Sequence, residues 1–329
     1  MQILRYLLLP ISLVYGLVVY LRNVLYNRGI KRSKSASLPT VVVGNIHMGG
    51  TGKTPHTIWL AQQLIEEGPA ILSRGYGRKT KGFLKVDATM SSEEAGDEPL
   101  SYAKRFPELE VAVCEDRLEG IDRLANAGHK GTVILDDAFQ HRKLKGDFNL
   151  CLIKANSNVK KEWYFPAGDL RDARLRLRNA NAIVFTSSSP AQEADCKKSL
   201  EGLIPSTTPI YFSEVSLNRI EGLSKDEKVI LVSAIAHNDA FYELANERFD
   251  VVSHFRYRDH HEFSPNDIRK WQSSLELHSG SVLLTTEKDF NRMSHHELNL
   301  PIHVARIDIM VKNGDDLIRK IRAQIQKKG

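Results

Sequence analysis

Cysteine is scarce in this chain, and the placement of the few that occur excludes two kinds of site. There are three, Cys114, Cys151 and Cys196, an odd number with no CxxC spacing. This arrangement fits neither a disulfide framework nor a thiolate metal centre. The sequence therefore indicates a protein of a reducing, cytosolic compartment.

The sequence also lacks the pattern of a nucleic-acid-binding protein. Its net charge is only +6, and no segment interleaves aromatic with basic residues as a single-strand-binding surface does. The basic residues concentrate instead in segments 22–34 and 171–178. A basic cluster beside an apolar segment attracts anionic lipid, and a basic loop can hold a phosphorylated substrate. We therefore expect those partners and no nucleic acid.

The N-terminus carries an unusually long apolar run. Residues 6–21 contain one proline and no charged residue, and five basic residues follow between Arg22 and Lys34. The run is shorter than the ~20 residues of a membrane span, and no small-residue cleavage site follows it. We interpret residues 1–30 as a membrane-associated helix whose basic end lies at the cytosolic face. The alternative is a hydrophobic helix buried against the body of the protein.

Chain length and element order indicate the fold class. A chain of 329 residues exceeds the size of a single hydrophobic core, so two domains are expected. Short β-branched runs alternate with helical stretches, which is typical of an α/β fold with a mostly parallel sheet. The predicted parts are a larger domain at 31–210, a connecting ribbon at 211–222 and a smaller α/β domain at 223–329. Strands are predicted at 40–43, 70–72, 111–113, 132–135, 150–154, 182–186, 229–235, 282–285 and 303–307, with a closing helix at 317–325.

A glycine-rich loop follows the first of these strands. The run TVVV at 40–43 leads into GNIHMGGTGKT at 44–54, and a helical pattern follows. Glycines allow positive φ and a close backbone approach to phosphate, which the N–H groups of a helix N-terminus bind. His47 occupies the position of a glycine in the strict pattern. Residues 31–210 are therefore predicted to form a P-loop NTPase-like domain that binds ATP through His47, Met48, Gly49, Gly50, Thr51, Gly52, Lys53 and Thr54.

Side chains near this loop suit phosphoryl chemistry. Lys53 would neutralise the β- and γ-phosphates, and Thr54 would hold Mg²⁺. A second strand, TVIL, ends in Asp136 and Asp137, where P-loop proteins place the acid on the Mg²⁺ side. Strand-end aspartates often only cap a turn, so this assignment depends on the loop upstream. The predicted Mg²⁺ residues are Thr54, Asp136 and Asp137.

Two classes of P-loop protein do not fit. GTPases carry a guanine-reading NKxD, whereas TEKD at 286–289 has the wrong order. Membrane-cycling partition ATPases carry a lysine at the start of the loop, where this chain has Met48. Neither class fits, and the alternative to a kinase is a membrane-tethered P-loop ATPase that acts as a switch on a protein partner.

Seven motifs, in order along the chain, resemble the tetraacyldisaccharide 4′-kinase family of lipid A biosynthesis. Each alone is a weak match, but together they cover nearly the whole chain, after a similar apolar N-terminus. They are VVVGNIHMGGTGKTP at 41–55, SRGYGRK at 73–79, GDEPL at 96–100, DDAFQHRKL at 136–144, PAGDLRD at 166–172, DHHEF at 259–263 and TTEKD at 285–289.

This resemblance implies a reaction and a location. The protein would use ATP and Mg²⁺ to phosphorylate the 4′-hydroxyl of a tetraacyldisaccharide 1-phosphate, a lipid A precursor, giving lipid IVA. It would have two α/β domains with a cleft between them, at the cytosolic face of the bacterial inner membrane. Three positions depart from the family pattern. Ala138 replaces a usual glycine, residues 233–237 replace a glycine-rich turn, and Asp172 replaces a glutamate.

The resemblance also implies catalytic residues. Asp97 of GDEPL matches the family's catalytic aspartate and would act as base toward the sugar hydroxyl. A histidine of DHHEF would orient it, with His261 favoured over His260 by motif position. Lys53 completes the predicted catalytic group. The alternatives for DHHEF are a metal site that includes Asp259, or an exposed polar loop.

Further residues are predicted to contact substrate. Arginines beside glycine or proline can present a bidentate guanidinium to phosphate, and Gln140 follows the strand-end acids. The role of TTEKD stays open. The predicted substrate residues are Arg74, Arg78, Gln140, Arg171 and Asp172.

Overall fold

The chain folds into two compact units. The computed structural model describes residues 5, 7–217, 220, 222–235, 238–259, 261–293 and 299–328. The larger unit comprises Met1–Glu214 and Ile309–Gly329, and the smaller comprises Val215–Asp308.

The strands of the larger unit are mostly short. In chain order, they are β1 (Lys34–Ser35), β2 (Thr40–Asn45), β3 (Ala70–Ser73), β4 (Leu84–Lys85), β5 (Glu110–Val113), β6 (Val133–Leu135), β7 (Leu144–Lys145), β8 (Phe148–Lys154), β9 (Ala182–Thr186) and β10 (Ile210–Leu217). The smaller unit holds β11 (Lys228–Ser233), β12 (Asp250–Arg256), β13 (Val282–Thr286) and β14 (Ile302–Ala305), and β15 (Ile307–Val311) returns to the larger sheet.

One nine-stranded sheet organises the larger unit, in the order β15-β10-β9-β8-β2-β6-β3-β5-β4. From β10 to β5 all neighbouring strands are parallel, and β4 is antiparallel. The short strands β1 and β7 pair separately. Every residue of β2 is buried, because the strand lies between β8 and β6. Parallel strands end at the same edge of a sheet, so the segments that follow β2 and β6 meet there.

Helices cover both faces of this sheet. Adjacent residues of a strand belong to different apolar clusters. Val42 and Leu72 lie in one cluster, and Val43 and Ile71 lie in the other. This alternation is that of a strand buried on both faces. The predicted α/β class with a mostly parallel sheet is confirmed. The helices of the larger unit are α1 (Leu9–Asn27), α2 (Lys53–Gln63), α3 (Ser92–Ala95), α4 (Asp97–Arg105), α5 (Arg117–Asn126) and α6 (Glu193–Leu200), with α10 at the C-terminus (Gly314–Ile325).

The C-terminal segment differs from the predicted organisation. The apolar side chains of α10, such as Leu317 and Ile321, share a core with Val41 and Leu150 of the large sheet. Residues 309–329 therefore belong to the larger unit, although the sequence assigned 223–329 to the smaller domain. The single strand predicted at 303–307 is two strands, β14 and β15, in different sheets. The sequence runs without a break through residues 302–311, so it gave no sign that the chain passes from one sheet to the other there.

The smaller unit has a parallel four-stranded sheet of order β12-β11-β13-β14. Helices α7 (Asn238–Asn246), α8 (Pro265–Leu277) and α9 (Glu287–Met293) connect its strands. Trp271 of α8 is fully buried and packs edge-on against Tyr257 and Phe263. Ser264 caps α8 by accepting a hydrogen bond from the N–H of Asp267. Phe263 of the DHHEF motif, just before α8, is thereby held against the core.

Helix α1 has two different faces. Ser12, Gly16, Val19 and Asn23 recur at helical spacing and are buried. By length and composition it is long and apolar enough to cross a membrane, with a mean hydropathy of 1.4. Such a helix is compatible with membrane association. Large apolar side chains on its other face are 51% to 65% exposed, namely Ile11, Leu13, Val14, Leu17, Val18 and Leu21.

Candidate active site

The glycine-rich loop joins β2 to α2 by a sharp turn. Gly49 and Gly52 have φ of +82° and +77°, which side chains other than glycine rarely adopt. Gly44 packs so closely on Phe139 that a Cβ would come within 2.5 Å of the Phe139 Cβ. Helix α2 begins at Lys53, directly after the loop. The loop therefore presents a helix N-terminus with a lysine in its first turn, an arrangement that binds phosphate.

Two cations meet one carboxylate beside this loop. The guanidinium of Arg171 donates to both oxygens of Asp137, with Nη1 3.0 Å from Oδ2. Lys53 Nζ lies 3.7 Å from Asp137 Oδ1. Burial alone would raise the pKa of Asp137, but the Arg171 hydrogen bonds and the Lys53 charge hold it below its ordinary value. The carboxylate is therefore ionised and keeps both cations at the start of α2.

Asp136 has a different environment from its neighbour. It is 1% exposed, and its oxygens accept from Thr57 at 3.5 Å and Ser73 at 3.3 Å. Burial and the charge of Glu98 raise the pKa of Asp136 to about 7. Burial therefore disfavours the ionised form of Asp136. A bound cation such as Mg²⁺ would favour that form.

Glu98 is a site residue that the sequence analysis missed. Its Oε1 accepts a hydrogen bond from the Thr54 hydroxyl at 3.3 Å, and its charge acts on Asp136. The signal was present, because Glu98 follows Asp97 in the GDEPL motif. A hydroxyl and carboxylates are the hard oxygen donors that Mg²⁺ takes. No group of three or more His, Cys, Asp or Glu side chains arranged to hold a metal occurs among the described residues.

The first half of the loop is held by the segment that follows β8. His47 is 4% exposed, and its Nε2 lies 3.2 Å from Ser157 Oγ and 3.5 Å from Glu162 Oε2. The N–H of Met48 donates to the carbonyl of Asp169 at 2.6 Å. The polar cavity beside these residues measures about 400 Å³. His47 therefore anchors the loop at the position where the strict pattern has glycine. Thr51 is buried and accepts from Asn45, and Gly50 is exposed.

The three arginines predicted to contact substrate have different environments in the structure. Arg171 joins the site, and Arg74 is exposed. The side chain of Arg78 is only 2% exposed and pairs with Glu115 at 2.7 Å and with the carbonyl of Gly82 at 2.6 Å. Arg78 thus braces the 73–82 loop instead of facing a ligand.

Gln140 and Asp172 also have structural contacts. The Gln140 amide donates to the carbonyl of Asn45 at the end of β2. Asp172 is 1% exposed, and its Oδ1 accepts from Asn23 of α1 at 2.9 Å. The substrate contact predicted for Asp172 is not supported, because its carboxylate is buried against α1.

The proposed acid–base residues lie in different units. Asp97 is the first residue of α4 in the larger unit and is half-buried. His261 is in the smaller unit, where its Nε2 lies 3.2 Å from Asp267 Oδ2 and its ring stacks on Tyr257. His260 lies outside the described residues. The pairing of Asp97 with a DHHEF histidine stays a prediction.

The fold and the loop define a P-loop protein of the nucleoside-triphosphate-binding class. A buried parallel strand, a glycine turn, a helix-initial lysine and strand-end acids at one sheet edge are its signature.

The chain belongs to the tetraacyldisaccharide-1-P 4′-kinase (LpxK) family, whose model matches residues 4–326. It is 35% identical to a tetraacyldisaccharide 4′-kinase of Flavobacterium johnsoniae, over 91% of this chain and 90% of the relative. It is 36% identical to the protein of that name from Cytophaga hutchinsonii, over 91% and 89%. The predicted family and enzyme class are confirmed, and the kinase is favoured over the ATPase switch.

A solved structure has the same fold. It is LpxK from Aquifex aeolicus, described as an "apo" form in complex with ATP. The two chains share 28% identity with a TM-score of 0.77, over 98% of this chain and 99% of the other. The likeness extends over both units of the chain.

Proposed function

We propose that this protein transfers the γ-phosphoryl group of ATP to the 4′-hydroxyl of tetraacyldisaccharide 1-phosphate, giving lipid IVA. The observation that carries the proposal is the meeting of Lys53, Arg171 and Asp137 at the N-terminus of α2. Cations held by a carboxylate can exchange it for phosphate oxygens and stabilise charge that develops during transfer. The name of the family supplies the acceptor.

Thr54, Asp136 and Asp137 are the residues that would hold Mg²⁺, with Glu98 accepting a hydrogen bond from the Thr54 hydroxyl. The ion would neutralise charge on the β- and γ-phosphates. The buried Asp136 carboxylate supports a Mg²⁺ site here, because a bound cation would lower the pKa that burial raises. Asp97 would accept the proton of the sugar hydroxyl, and His261 would orient it.

Helix α1 would hold the enzyme on an anionic membrane surface, at the cytosolic face of the inner membrane. Its exposed apolar side chains would enter the lipid, and basic residues at its downstream end would meet acidic head groups. Arg28, Lys31, Arg32 and Lys34 are all exposed. Because the opposite face of α1 packs on the larger unit, the helix would lie along the surface.

The reaction is tested with γ-labelled ATP and tetraacyldisaccharide 1-phosphate in detergent micelles. We expect label in the lipid at the 4′ position, and none when the acceptor is already 4′-phosphorylated. Release of labelled inorganic phosphate at an equal rate without acceptor, with no labelled lipid, would instead identify an ATPase.

The membrane role is tested by sedimentation with anionic vesicles. Serine at Leu13, Val14 and Leu17 should weaken binding, because these side chains are exposed and apolar. Leu277→Ser is the matched control, since Leu277 is 78% exposed in the smaller unit. Equal binding of both variants would show that another surface contacts lipid.

A further inference from the structure

Helix α1 is bonded to the two loops that carry the Asp137–Arg171 pair. The Tyr15 hydroxyl donates to the carbonyl of Arg171 itself at 3.0 Å. Arg22 donates to the carbonyl of Gln140, three residues after Asp137, at 2.7 Å. One helix therefore holds the backbone on both sides of the pair.

Asn23 lies at the centre of this contact. It is only 4% exposed in a mostly apolar helix. Its Nδ2 donates to Asp172 Oδ1 at 2.9 Å, and its Oδ1 accepts from Arg142 Nη1 at 2.9 Å. Its backbone carbonyl also accepts from Arg142, at 3.1 Å. Burying an amide is unfavourable unless it is hydrogen-bonded, and a helix that only touched lipid would have no need of one there.

Both partners of Asn23 belong to the site loops. Asp172 directly follows Arg171, and Arg142 lies in the segment that begins with Asp136 and Asp137. A second arginine, Arg176, crosses the same junction, since it lies 3.6 Å from Asp172 Oδ2 and donates to the carbonyl of Phe139 at 2.7 Å. The Asn23 amide thus links one loop to the other.

We infer that Asn23 is a positioning residue for phosphoryl transfer, which sets the Arg171 guanidinium against Asp137 and the phosphate site by joining Asp172 to Arg142. The inference rests on the proposed function. A small displacement of a positioned group lowers the rate steeply, by as much as ~10²-fold for about 1 Å. Through Asn23, docking of α1 becomes part of the active-site geometry as well as a membrane contact.

The first test is Asn23→Ala in the micellar kinase assay. We expect kcat to fall by about tenfold or more, with KM for ATP changed by less than about twofold and vesicle binding unchanged. Ser12→Ala is the matched control, because the buried Ser12 hydroxyl accepts from the Ala167 N–H at 2.8 Å, in the same loop but away from Arg171. It should lower the melting temperature similarly and leave kcat near that of the wild type.

A charge exchange separates positioning from simple destabilisation. Asn23→Asp alone sets two carboxylates together and should also lower kcat. Combining it with Asp172→Asn restores one amide and one carboxylate at the junction and should recover at least about half of the wild-type kcat. A kcat in Asn23→Ala within twofold of wild type, an equal loss in Ser12→Ala, or no recovery in the exchange would overturn the positioning role. The proposed function fails separately, if Lys53→Ala transfers phosphate normally.

Discussion

Each unit has an aspartate near the carboxyl end of a parallel strand, half-buried in the larger unit and fully buried in the smaller, and the two charges are compensated in different ways. Asp137 of the larger unit is met by two long cationic side chains, Lys53 and Arg171. Asp289 of the smaller unit accepts from the N–H of Ala234 at 2.9 Å and from the Thr286 hydroxyl at 2.8 Å. The first set of partners can turn toward a phosphate, whereas the second is fixed by the fold.

The electrostatics follow this difference. The cations outweigh burial at Asp137 and lower its pKa, whereas burial dominates at Asp289 and raises its pKa despite the hydrogen bonds and Arg292. An acid at a strand end is thus not enough to indicate a ligand site. The two acids differ in their hydrogen bonds: a guanidinium donates to both oxygens of Asp137, whereas a backbone N–H and a hydroxyl donate to Asp289, with Arg292 Nη1 3.5 Å from its other oxygen. In the smaller unit, Asp289 of TTEKD joins the ends of β11 and β13.

The largest expected effect is at Lys53. Lys53→Ala removes a cation directed at the phosphates, and loss of one such group typically lowers kcat by ~10²–10³-fold. The measurement is label transfer to the lipid at saturating ATP. Lys145→Ala, which alters an exposed lysine of β7, should have near wild-type activity. Near wild-type turnover in Lys53→Ala would remove the P-loop from the mechanism.

A large loss is also expected at the proposed acid–base pair. Asp97→Ala and His261→Ala should each lower kcat by ~10²-fold or more while ATP binding changes little. The double variant should lose little more than either single variant, because residues that act as a unit are non-additive. His278→Ala is the histidine control in the same unit. Additive losses would contradict the pair, and a loss confined to His260→Ala would move the role to that histidine.

A smaller loss is expected when Arg171 becomes lysine. The substitution keeps the charge but not the bidentate contact with Asp137, and a charged hydrogen bond contributes about 1.5–3 kcal/mol, or roughly 10–100-fold in rate. Arg178→Lys should leave kcat unchanged, since Arg178 is exposed and donates to the carbonyls of Leu203 and Gly202 at 3.4–3.5 Å. If Arg171→Lys keeps full kcat, charge alone suffices and the paired geometry is not used.

The smallest effect on activity is expected at Asp289. Asp289→Asn should lower the free energy of unfolding by about 1–3 kcal/mol, because a buried network loses an acceptor, while kcat per folded molecule stays near that of the wild type. Asp137→Asn should do the reverse and lower kcat with little change in stability. Denaturant unfolding and the kinase assay, applied to both variants, test the comparison directly. Equal catalytic losses at the two sites would erase the distinction between them.

Local features could be predicted from the sequence. The strand, glycine turn and helix from Thr40 to Gln63 follow from neighbouring residues, and so do most strands of both sheets. The acids at 136–137 were assigned to Mg²⁺ from their position after a strand, and the structure sets Asp136 beside Thr57 and Asp137 beside Lys53. Glu98 was overlooked, because its contact with Thr54 joins segments that are 44 residues apart.

By itself the sequence determined the class of this protein, its phosphate loop and its family, since each depends on residue types at short spacing. Only the tertiary structure decided which charged groups meet. It buried Asp172 against Asn23, turned Arg78 toward Glu115 and returned α10 to the large sheet. The reason is physical: an ionised side chain can lie exposed, pair with a distant charge or bind a ligand. Its free energy in each case depends on burial and on partners that sequence spacing does not encode.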